Sequence, residues 1–128
     1  MKIYLAGAIE GLSYQDAMAW REVLKDLAPR DWKFLFPKIT DDVNESMNFD
    51  NWLINEAGIV IAKIDKKVSM GTAIELGRCS ATNKLIVCFT LEDIEFHGWL
   101  KHISVACLKV ESLAEVIDYV KHLEEHIR

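Results

Sequence analysis

The chain has 128 residues, of which 51% are hydrophobic and 27% are charged, and its 20 acidic and 15 basic residues give a formal net charge of −5. This hydrophobic content excludes an intrinsically disordered chain, and the acidic balance argues against binding along a nucleic-acid backbone. The length is typical of one domain, so we expect a single domain over residues 1–128 with one buried core.

The first predicted element is an apolar β-type run over residues 2–9, which is followed by a helix. Ser13 is expected to cap this helix and Pro29 to end it. A short β-type run over residues 34–36 comes next. The helix between Ser13 and Pro29 is predicted from apolar residues at helical spacing, namely Ala17, Trp20, Val23, Leu24 and Leu27.

The middle of the chain predicts a helix, a strand and a second helix. The first helix spans residues 47–57, with Phe49, Trp52 and Leu53 on one face and Trp52 in the core. It leads into an apolar strand over residues 58–64. The second helix spans residues 70–82, and its inner stripe is predicted to be Met70, Ala73, Ile74, Gly77 and Ala81.

The last part of the chain predicts two strands, over residues 85–90 and 103–110, and a final helix. The connection over residues 91–102 shows only a single helical turn. The final helix begins at a capping box over residues 112–115. Its inward-facing residues are predicted to be Val116, Ile117, Val120, Leu123 and Ile127.

The apolar residues of the strands are nearly continuous and do not alternate with polar ones. This pattern is typical of parallel strands that are covered on both faces. Strands and helices also alternate along the chain. We therefore predict an α/β fold with a doubly wound, mostly parallel five-stranded sheet and helices on both faces.

The sequence also predicts where the protein is found. No apolar run approaches the roughly 20 residues that a membrane span needs, and no secretory signal precedes the first β-type run. The cysteines Cys79, Cys88 and Cys107 are scattered among apolar residues, which is typical of reduced thiols, and Cys88 is expected in the core. We expect a cytoplasmic protein with no membrane partner.

Ligands of open parallel sheets bind outside the carboxyl ends of the strands. Residues 7–11 follow the first predicted strand, and Gly7 and Gly11 would let backbone amides approach a sugar or a phosphate. A tight corner between strand and helix explains the two glycines equally well. The residues of this turn are Gly7, Ala8, Ile9, Glu10 and Gly11.

The second such position is residues 65–72, where Ser69 and Gly71 open a helix that carries Glu75. The positive end of a helix favours an ionised carboxylate, so Glu75 is a candidate nucleophile. The alternative is a capping box, in which Glu75 reaches back to the backbone amide of Thr72.

Asp50 is the candidate partner of Glu75, because its helix leads into the strand beside Glu75. Two carboxyl groups that share a crevice acquire different pKa values, so that one can attack while the other donates a proton. The alternative is a solvated Asp50 near a helix start, where the helix dipole favours it.

Three segments, over residues 3–11, 50–62 and 69–78, together resemble the nucleoside 2-deoxyribosyltransferase family. The resemblance covers residues 2–90 and weakens after them. It implies a flavodoxin-like α/β fold and cleavage of the N-glycosidic bond of a nucleoside or nucleotide. It implies no metal and no organic cofactor.

The resemblance also implies residue roles. Glu75 would attack the anomeric carbon and form a glycosyl-enzyme ester, which water or a second base resolves. Asp50 would assist departure of the base and hold the acceptor, and Tyr4 would orient the nucleophile. The partner is thus a small molecule, a nucleoside or nucleotide.

The choice between hydrolase and transferase is predicted from Ser69. Transferases of the family carry an aspartate six residues before the nucleophile, whereas the 5′-monophosphate hydrolases carry a phosphate-binding serine, so Ser69 indicates a hydrolase. However, Ala8 and Glu10 stand where those hydrolases have a serine and an arginine. The alternative function is therefore a catalytically inactive nucleotide-binding module.

Active sites of the family are often completed by a neighbouring subunit through the segment after the fourth strand. By rough alignment this segment is residues 96–99. The resemblance implies that His97 and Trp99 contact the ligand across the interface of a homodimer or a larger homo-oligomer.

Overall fold

A computed structural model describes residues 1–39, 42–67 and 69–127, with the side chains of Val43 and Ile127 excepted. The described residues form one parallel sheet with the strand order β2-β1-β3-β4-β5. The strands are β1 (Lys2–Ala6), β2 (Lys33–Leu35), β3 (Ile59–Lys63), β4 (Leu85–Thr90) and β5 (Ala106–Lys109).

Five helices in the described ranges connect or follow these strands. They are α1 (Tyr14–Leu27), α2 (Val43–Glu56), α3 (Met70–Ala81), α4 (Gly98–Ile103) and α5 (Leu113–Ile127). The predicted α/β class and the predicted five-stranded parallel sheet are confirmed.

The sheet separates two apolar clusters, because successive residues of a strand point to opposite faces. Tyr4, Val60 and Ile86 lie in register and face α2, α3 and α4. Leu5 and Ile61 face the opposite side, where α1 and α5 pack against each other. Each fully buried large aliphatic side chain stabilises the fold by about 1.5–3 kcal/mol. The helices thus cover both faces, as predicted.

Three predicted boundaries are wrong. The first strand ends at Ala6 rather than residue 9, because the chain turns toward α1 and the Leu12 amide donates to the Ile9 carbonyl. The last strand begins at Ala106 rather than residue 103, because α4 extends to Ile103. Helix α2 begins at Val43, four residues before the prediction, because the Asp42 side chain caps it.

The predicted inner stripe of α3 is wrong. Met70 is 77% exposed and Ile74 is 65% exposed; the other three predicted residues, Ala73, Gly77 and Ala81, are exposed as well. The apolar residues of α3 lie on several faces of the helix, so their spacing alone did not identify the face that is buried. The residues that α3 buries are Thr72, Leu76 and Cys79.

Helix α2 differs from the prediction in the same way. Trp52 is 57% exposed and therefore lies outside the core, and Phe49 is exposed beside it. The core side of this helix carries Leu53 and Ile54, followed by Ala57 at the helix end.

The predictions for α1 and α5 are mostly confirmed. Helix α1 buries Ala17, Trp20 and Leu24, whereas Val23 and Leu27 are exposed. Helix α5 buries three residues as predicted, and Leu123 packs against the same cluster. The predicted burial of the Ile127 side chain lies outside the described residues. The three residues that α5 buries are Val116, Ile117 and Val120.

The three cysteines are free: Cys79 and Cys88 are buried, as expected for Cys88, and Cys107 is half-buried. Within the part of the chain that the structure describes, no helix is both long enough and apolar enough to cross a membrane.

Candidate active site

The carboxyl ends of β1 and β3 meet at one edge of the sheet, where the crossover helices leave in opposite directions. Helix α1 follows β1 on one face, and α3 follows β3 on the other. Such a switch point opens a crevice between the two strand ends. Tyr4, Asp50 and Glu75, one from each of the three resembling segments, lie around this crevice.

Tyr4 and Glu75 form a hydrogen bond at the crevice. Tyr4 lies in β1 with its side chain fully buried, and its Oη donates to Oε2 of Glu75 on α3. Burial, followed by the charges of Glu75 and Asp50, raises the pKa of Tyr4. The phenol therefore stays protonated and remains a hydrogen-bond donor to the carboxylate.

Glu75 is a half-buried carboxyl group with an altered pKa. The pKa of Glu75 is raised to about 7, chiefly by burial and in addition by the charge of Asp50. The hydrogen bond from Tyr4 and the positive charge of Arg21 act in the opposite direction. Near neutral pH a large fraction of Glu75 is thus ionised, and the carboxylate is only partly solvated, which favours nucleophilic attack.

Asp50 lies in the middle of α2 and is half-buried. Its Oδ1 accepts a hydrogen bond of 2.8 Å from the backbone amide of Lys38, in the segment after β2. Burial raises the pKa of Asp50, although the Lys38 amide lowers it in part. A carboxyl group of this kind can hold a proton at a pH where an exposed aspartate has lost it.

The two alternatives to a catalytic pair do not match this geometry. Ser69, rather than Thr72, caps α3, since its Oγ accepts from the Thr72 amide at 3.3 Å, and the Glu75 carboxylate bonds to Tyr4. Asp50 is not at a helix start, because α2 begins at Val43. Tyr4, Asp50 and Glu75 are therefore brought together by three different elements.

Sequence reasoning missed Arg21, which lies directly behind the crevice. Its side chain on α1 is 0% exposed, and it donates to the carbonyl oxygens of Leu5, Gly7 and Ala17. The signal in the sequence was its spacing, because Arg21 lies four residues after Ala17 and beside Trp20 on the buried face of the helix. Charge alone suggested an exposed residue.

The glycines of the turn after β1 have structural roles. A Cβ atom at Gly7 would lie 2.9 Å from Cζ2 of Trp20 and 3.3 Å from Nη2 of Arg21, so only glycine fits. Gly11 has a φ of +81°, in the left-handed region that favours glycine. This geometry supports the tight-corner interpretation. Of the remaining turn residues, Ala8 and Ile9 are half-buried and Glu10 is exposed.

A cavity of about 550 Å³ lies on the other side of α3, between α3 and α4. Its lining includes Ala8, Ser69, His97 and Trp99 from the predicted substrate-binding set. Thr72, one helical turn before Glu75, also lines it. The rest of the predicted set, namely Gly7, Ile9, Glu10, Gly11 and Gly71, and the three crevice residues Tyr4, Asp50 and Glu75 do not line this cavity.

The segment at residues 96–99 forms the start of α4. His97 caps this helix, since its Nδ1 accepts from the Trp99 amide at 3.1 Å. The Trp99 side chain is 79% exposed although it borders the cavity. In residues 1–39, 42–67 and 69–127, no three His, Cys, Asp or Glu side chains are grouped as metal ligands.

The fold and the site define a flavodoxin-like α/β domain with a Tyr-Glu pair and a nearby Asp at its switch point. No protein-family model matches the chain, and no curated protein sequence matches it. Solved structures, however, share its fold.

Three of these structures come from enzymes. A 2-deoxyribosyltransferase from Bacillus psychrosaccharolyticus is 22% identical, with a TM-score of 0.71 over 93% of this chain and 92% of that chain. A CMP N-glycosidase from Clostridium botulinum is 21% identical, with a TM-score of 0.70 over 94% and 98%. A 2-deoxyribosyltransferase from Leishmania mexicana is 24% identical, with a TM-score of 0.60 over 71% and 65%. The predicted family resemblance is thus confirmed at the level of the fold.

Proposed function

We propose that this protein cleaves the N-glycosidic bond of a nucleoside or a nucleoside 5′-monophosphate, with Glu75 as the nucleophile. The observation that carries the proposal is the hydrogen bond from Tyr4 to a half-buried Glu75, with the charge of Asp50 acting on both groups. Two carboxyl groups around one sugar are the requirement of retaining glycoside cleavage.

In the first step the ionised Glu75 carboxylate forms a bond to C1′ of the sugar. The C1′–N bond breaks and its electron pair stays with the base, which takes a proton from Asp50. In the reacting state the two carboxyl groups hold one proton between them, on Asp50, while Glu75 is ionised. Tyr4 keeps its proton and holds Glu75 in place through the hydrogen bond. The products of this step are the free base and a glycosyl ester of Glu75.

In the second step water attacks C1′ and transfers a proton to the Asp50 carboxylate. The bond between C1′ and Glu75 breaks, which restores both carboxyl groups and releases the sugar. We propose hydrolysis over transfer to a second base, because Ser69 stands where the transferases of the resembling family carry an aspartate. Supplying a second base tests this choice, since efficient formation of a new nucleoside would contradict it.

We propose that a 5′-monophosphate is preferred to a free nucleoside. Ser69 and Lys67 line the cavity beside the first turn of α3, where the positive helix end and the lysine favour an anion. A volume of about 550 Å³ lies within the range of small-molecule sites. Thr72 lines this space one turn before Glu75, so that the cavity and the nucleophile adjoin along the same helix.

The main test compares Glu75→Gln with the wild type on a panel of nucleosides and their 5′-monophosphates, with free base measured by chromatography. We expect base release to fall by at least about 10³-fold, because an amide cannot form the glycosyl ester. The matched control is Glu125→Gln, an exposed position on α5, which should keep full activity. Undiminished release by a folded Glu75→Gln variant would refute the role.

A second candidate function is a nucleotide-binding module without turnover. It is favoured by Ala8 and by the exposed Glu10, because neither supplies a phosphate ligand and an anion repels phosphate. Calorimetry with nucleoside 5′-monophosphates distinguishes the two functions when it is combined with long incubation. Binding without base release supports the module, whereas multiple turnovers exclude it.

We also propose that the protein acts as a homodimer or larger homo-oligomer in the cytoplasm. The exposed Trp99 at the cavity supports a partner subunit that contacts the ligand region, and three free thiols fit a reducing compartment. Sedimentation of the wild type and of Trp99→Ala tests the assembly. A monomeric wild type at micromolar concentration would contradict it.

A further inference from the structure

We propose that Arg21 is a positioning residue for Glu75: it fixes the carboxyl end of β1 behind the crevice and supplies the buried positive charge of the site. This inference rests on the proposed function, in which an ionised Glu75 is the nucleophile. No motif pointed to Arg21, and its role follows from its contacts, its burial and the charges around it.

The first argument is geometric. Arg21 Nε donates to the carbonyl of Leu5 at 3.1 Å, and Nη2 donates to the carbonyl of Gly7 at 3.2 Å. Nη1 donates to the carbonyl of Ala17 within α1. Two of these acceptors thus belong to the strand end and the turn that follow Tyr4. The guanidinium therefore ties α1 to the segment that presents the Tyr4 hydroxyl to Glu75.

The packing around the guanidinium leaves it little freedom. Its Cζ atom lies 4.6 Å from the centroid of the Trp20 ring, and Gly7 brings the backbone so close that a Cβ atom would meet both side chains. Arginine suits this position because its planar fork can bond several carbonyl oxygens in fixed directions, whereas lysine presents a compact charge.

The second argument is the charge. Arg21 is fully buried, and among the described residues it forms no ion pair with a carboxylate. A buried charge is strongly unfavourable unless polar groups or opposite charges compensate it. The charged or titratable groups that act on it are Tyr4, Glu75 and Asp50.

The positive charge of Arg21 lowers the pKa of Glu75, and other influences on this carboxyl group act in both directions. Burial and the charge of Asp50 on α2 raise the pKa of Glu75, whereas the hydrogen bond from Tyr4 on β1 and, to a smaller extent, the charge of Arg21 on α1 lower it. If the positive charge is removed, the balance shifts toward the protonated acid. The active fraction of the nucleophile then falls at neutral pH and recovers only in more alkaline solution.

The test measures kcat/KM for base release between pH 5 and pH 9 in the full chain. Arg21→Gln removes the charge, and Arg21→Lys keeps it, while both lose the three-carbonyl geometry. For Arg21→Gln we expect the acidic limb of the profile to move up by about one pH unit, with about a fivefold loss at pH 7 relative to the wild type that is largely recovered at pH 9. Arg21→Lys should keep the limb of the wild type and lower the plateau.

A purely structural role would lower activity equally at every pH, so an unmoved acidic limb in a folded Arg21→Gln variant overturns the inference. If Arg21→Gln does not fold, Arg21→Met provides the neutral variant. If neither neutral variant folds while Arg21→Lys does, the charge is needed for folding alone and the inference is rejected.

The failure of the proposed function can be told apart from the failure of this inference. If the wild type releases no base from any substrate, carboxyl NMR of the Glu75 side chain replaces kinetics as the readout. A Glu75 titration that moves to higher pH in Arg21→Gln supports the positioning role without any turnover. An unchanged titration overturns it.

Discussion

The two sides of α3 differ in how their chemistry is built. Toward α2, the helix places the half-buried Glu75 against the fully buried Tyr4 of the sheet, and the two side chains are joined by a hydrogen bond. Toward α4, the same helix lines an open cavity with small residues such as Ser69 and Thr72, and the large ring of Trp99 remains exposed.

Under the proposed function, the α2 side carries the reaction and the α4 side binds the substrate. The α2 side alters the pKa of a carboxyl group, and its contacts come from the sheet and from the buried face of α1. The α4 side offers space and an exposed cation, and its contacts come from loops and a six-residue helix. We therefore expect changes on the α2 side to lower kcat and changes on the α4 side to raise KM.

The largest effect in this comparison is expected from Tyr4→Phe, which removes the hydrogen bond and keeps the ring. Glu75 then loses a group that lowers its pKa, so the protonated acid persists to higher pH. We expect kcat at pH 7 to fall by about 30- to 100-fold, with partial recovery at pH 9. Steady-state kinetics at both pH values measure this effect.

Tyr119→Phe is the control for Tyr4→Phe, because Tyr119 is half-buried on α5 at the opposite face of the sheet. It should leave kcat unchanged. A loss in Tyr4→Phe that appears only in KM would place Tyr4 in binding instead of in the activation of Glu75.

The sequence predicted which residues gather on the α2 side of α3 better than it predicted which face of α3 is buried. Tyr4, Asp50 and Glu75 were predicted to lie near one another because they stand in segments of known order and spacing, and the parallel strand order brings such segments to one edge. The face of α3 was predicted wrongly, because Met70 and Ile74 form a stripe as regular as the one that is buried. Which of the two stripes is buried depends on how α3 packs against the sheet, and the spacing of apolar residues within the helix does not contain this information.

Arg21 and the α4 side were harder to predict for a different reason. A charged residue within a helix is exposed far more often than buried, and the carbonyl oxygens that compensate Arg21 come from Leu5 and Gly7, distant in sequence. The cavity depends on where α4 begins, and residues 91–102 have no periodicity that fixes this position.

A second prediction concerns the free energy of unfolding, which the raised pKa of Glu75 lowers. The pKa of Glu75 is about 7 in the folded protein against an ordinary value of 4.5, so the unfolded chain releases the proton first as the pH rises. Folding is therefore penalised progressively between about pH 4.5 and pH 7, and the penalty stays constant above that range. Glu75→Gln removes the penalty and retains an acceptor for Tyr4.

We therefore expect Glu75→Gln to raise the free energy of unfolding by about 2–3 kcal/mol at pH 8 and to leave it nearly unchanged at pH 4.5. Urea denaturation at the two pH values measures the difference, and Glu125→Gln should change neither. Equal stability of wild type and Glu75→Gln at pH 8 would show that the carboxylate is not held in a dry environment against Tyr4.

The smallest effect is expected on the α4 side, from Lys67→Gln. Lys67 lines the cavity, and a surface cation near a phosphate contributes modestly because water and salt screen it. We expect kcat/KM for a 5′-monophosphate to fall about fivefold, mainly through KM, and the value for the free nucleoside to change by less than about twofold. Lys66→Gln is the control, because Lys66 does not line the cavity. The phosphate effect should shrink as salt is added, whereas an equal loss with both substrates would mean that Lys67 shapes the cavity instead of binding the phosphate.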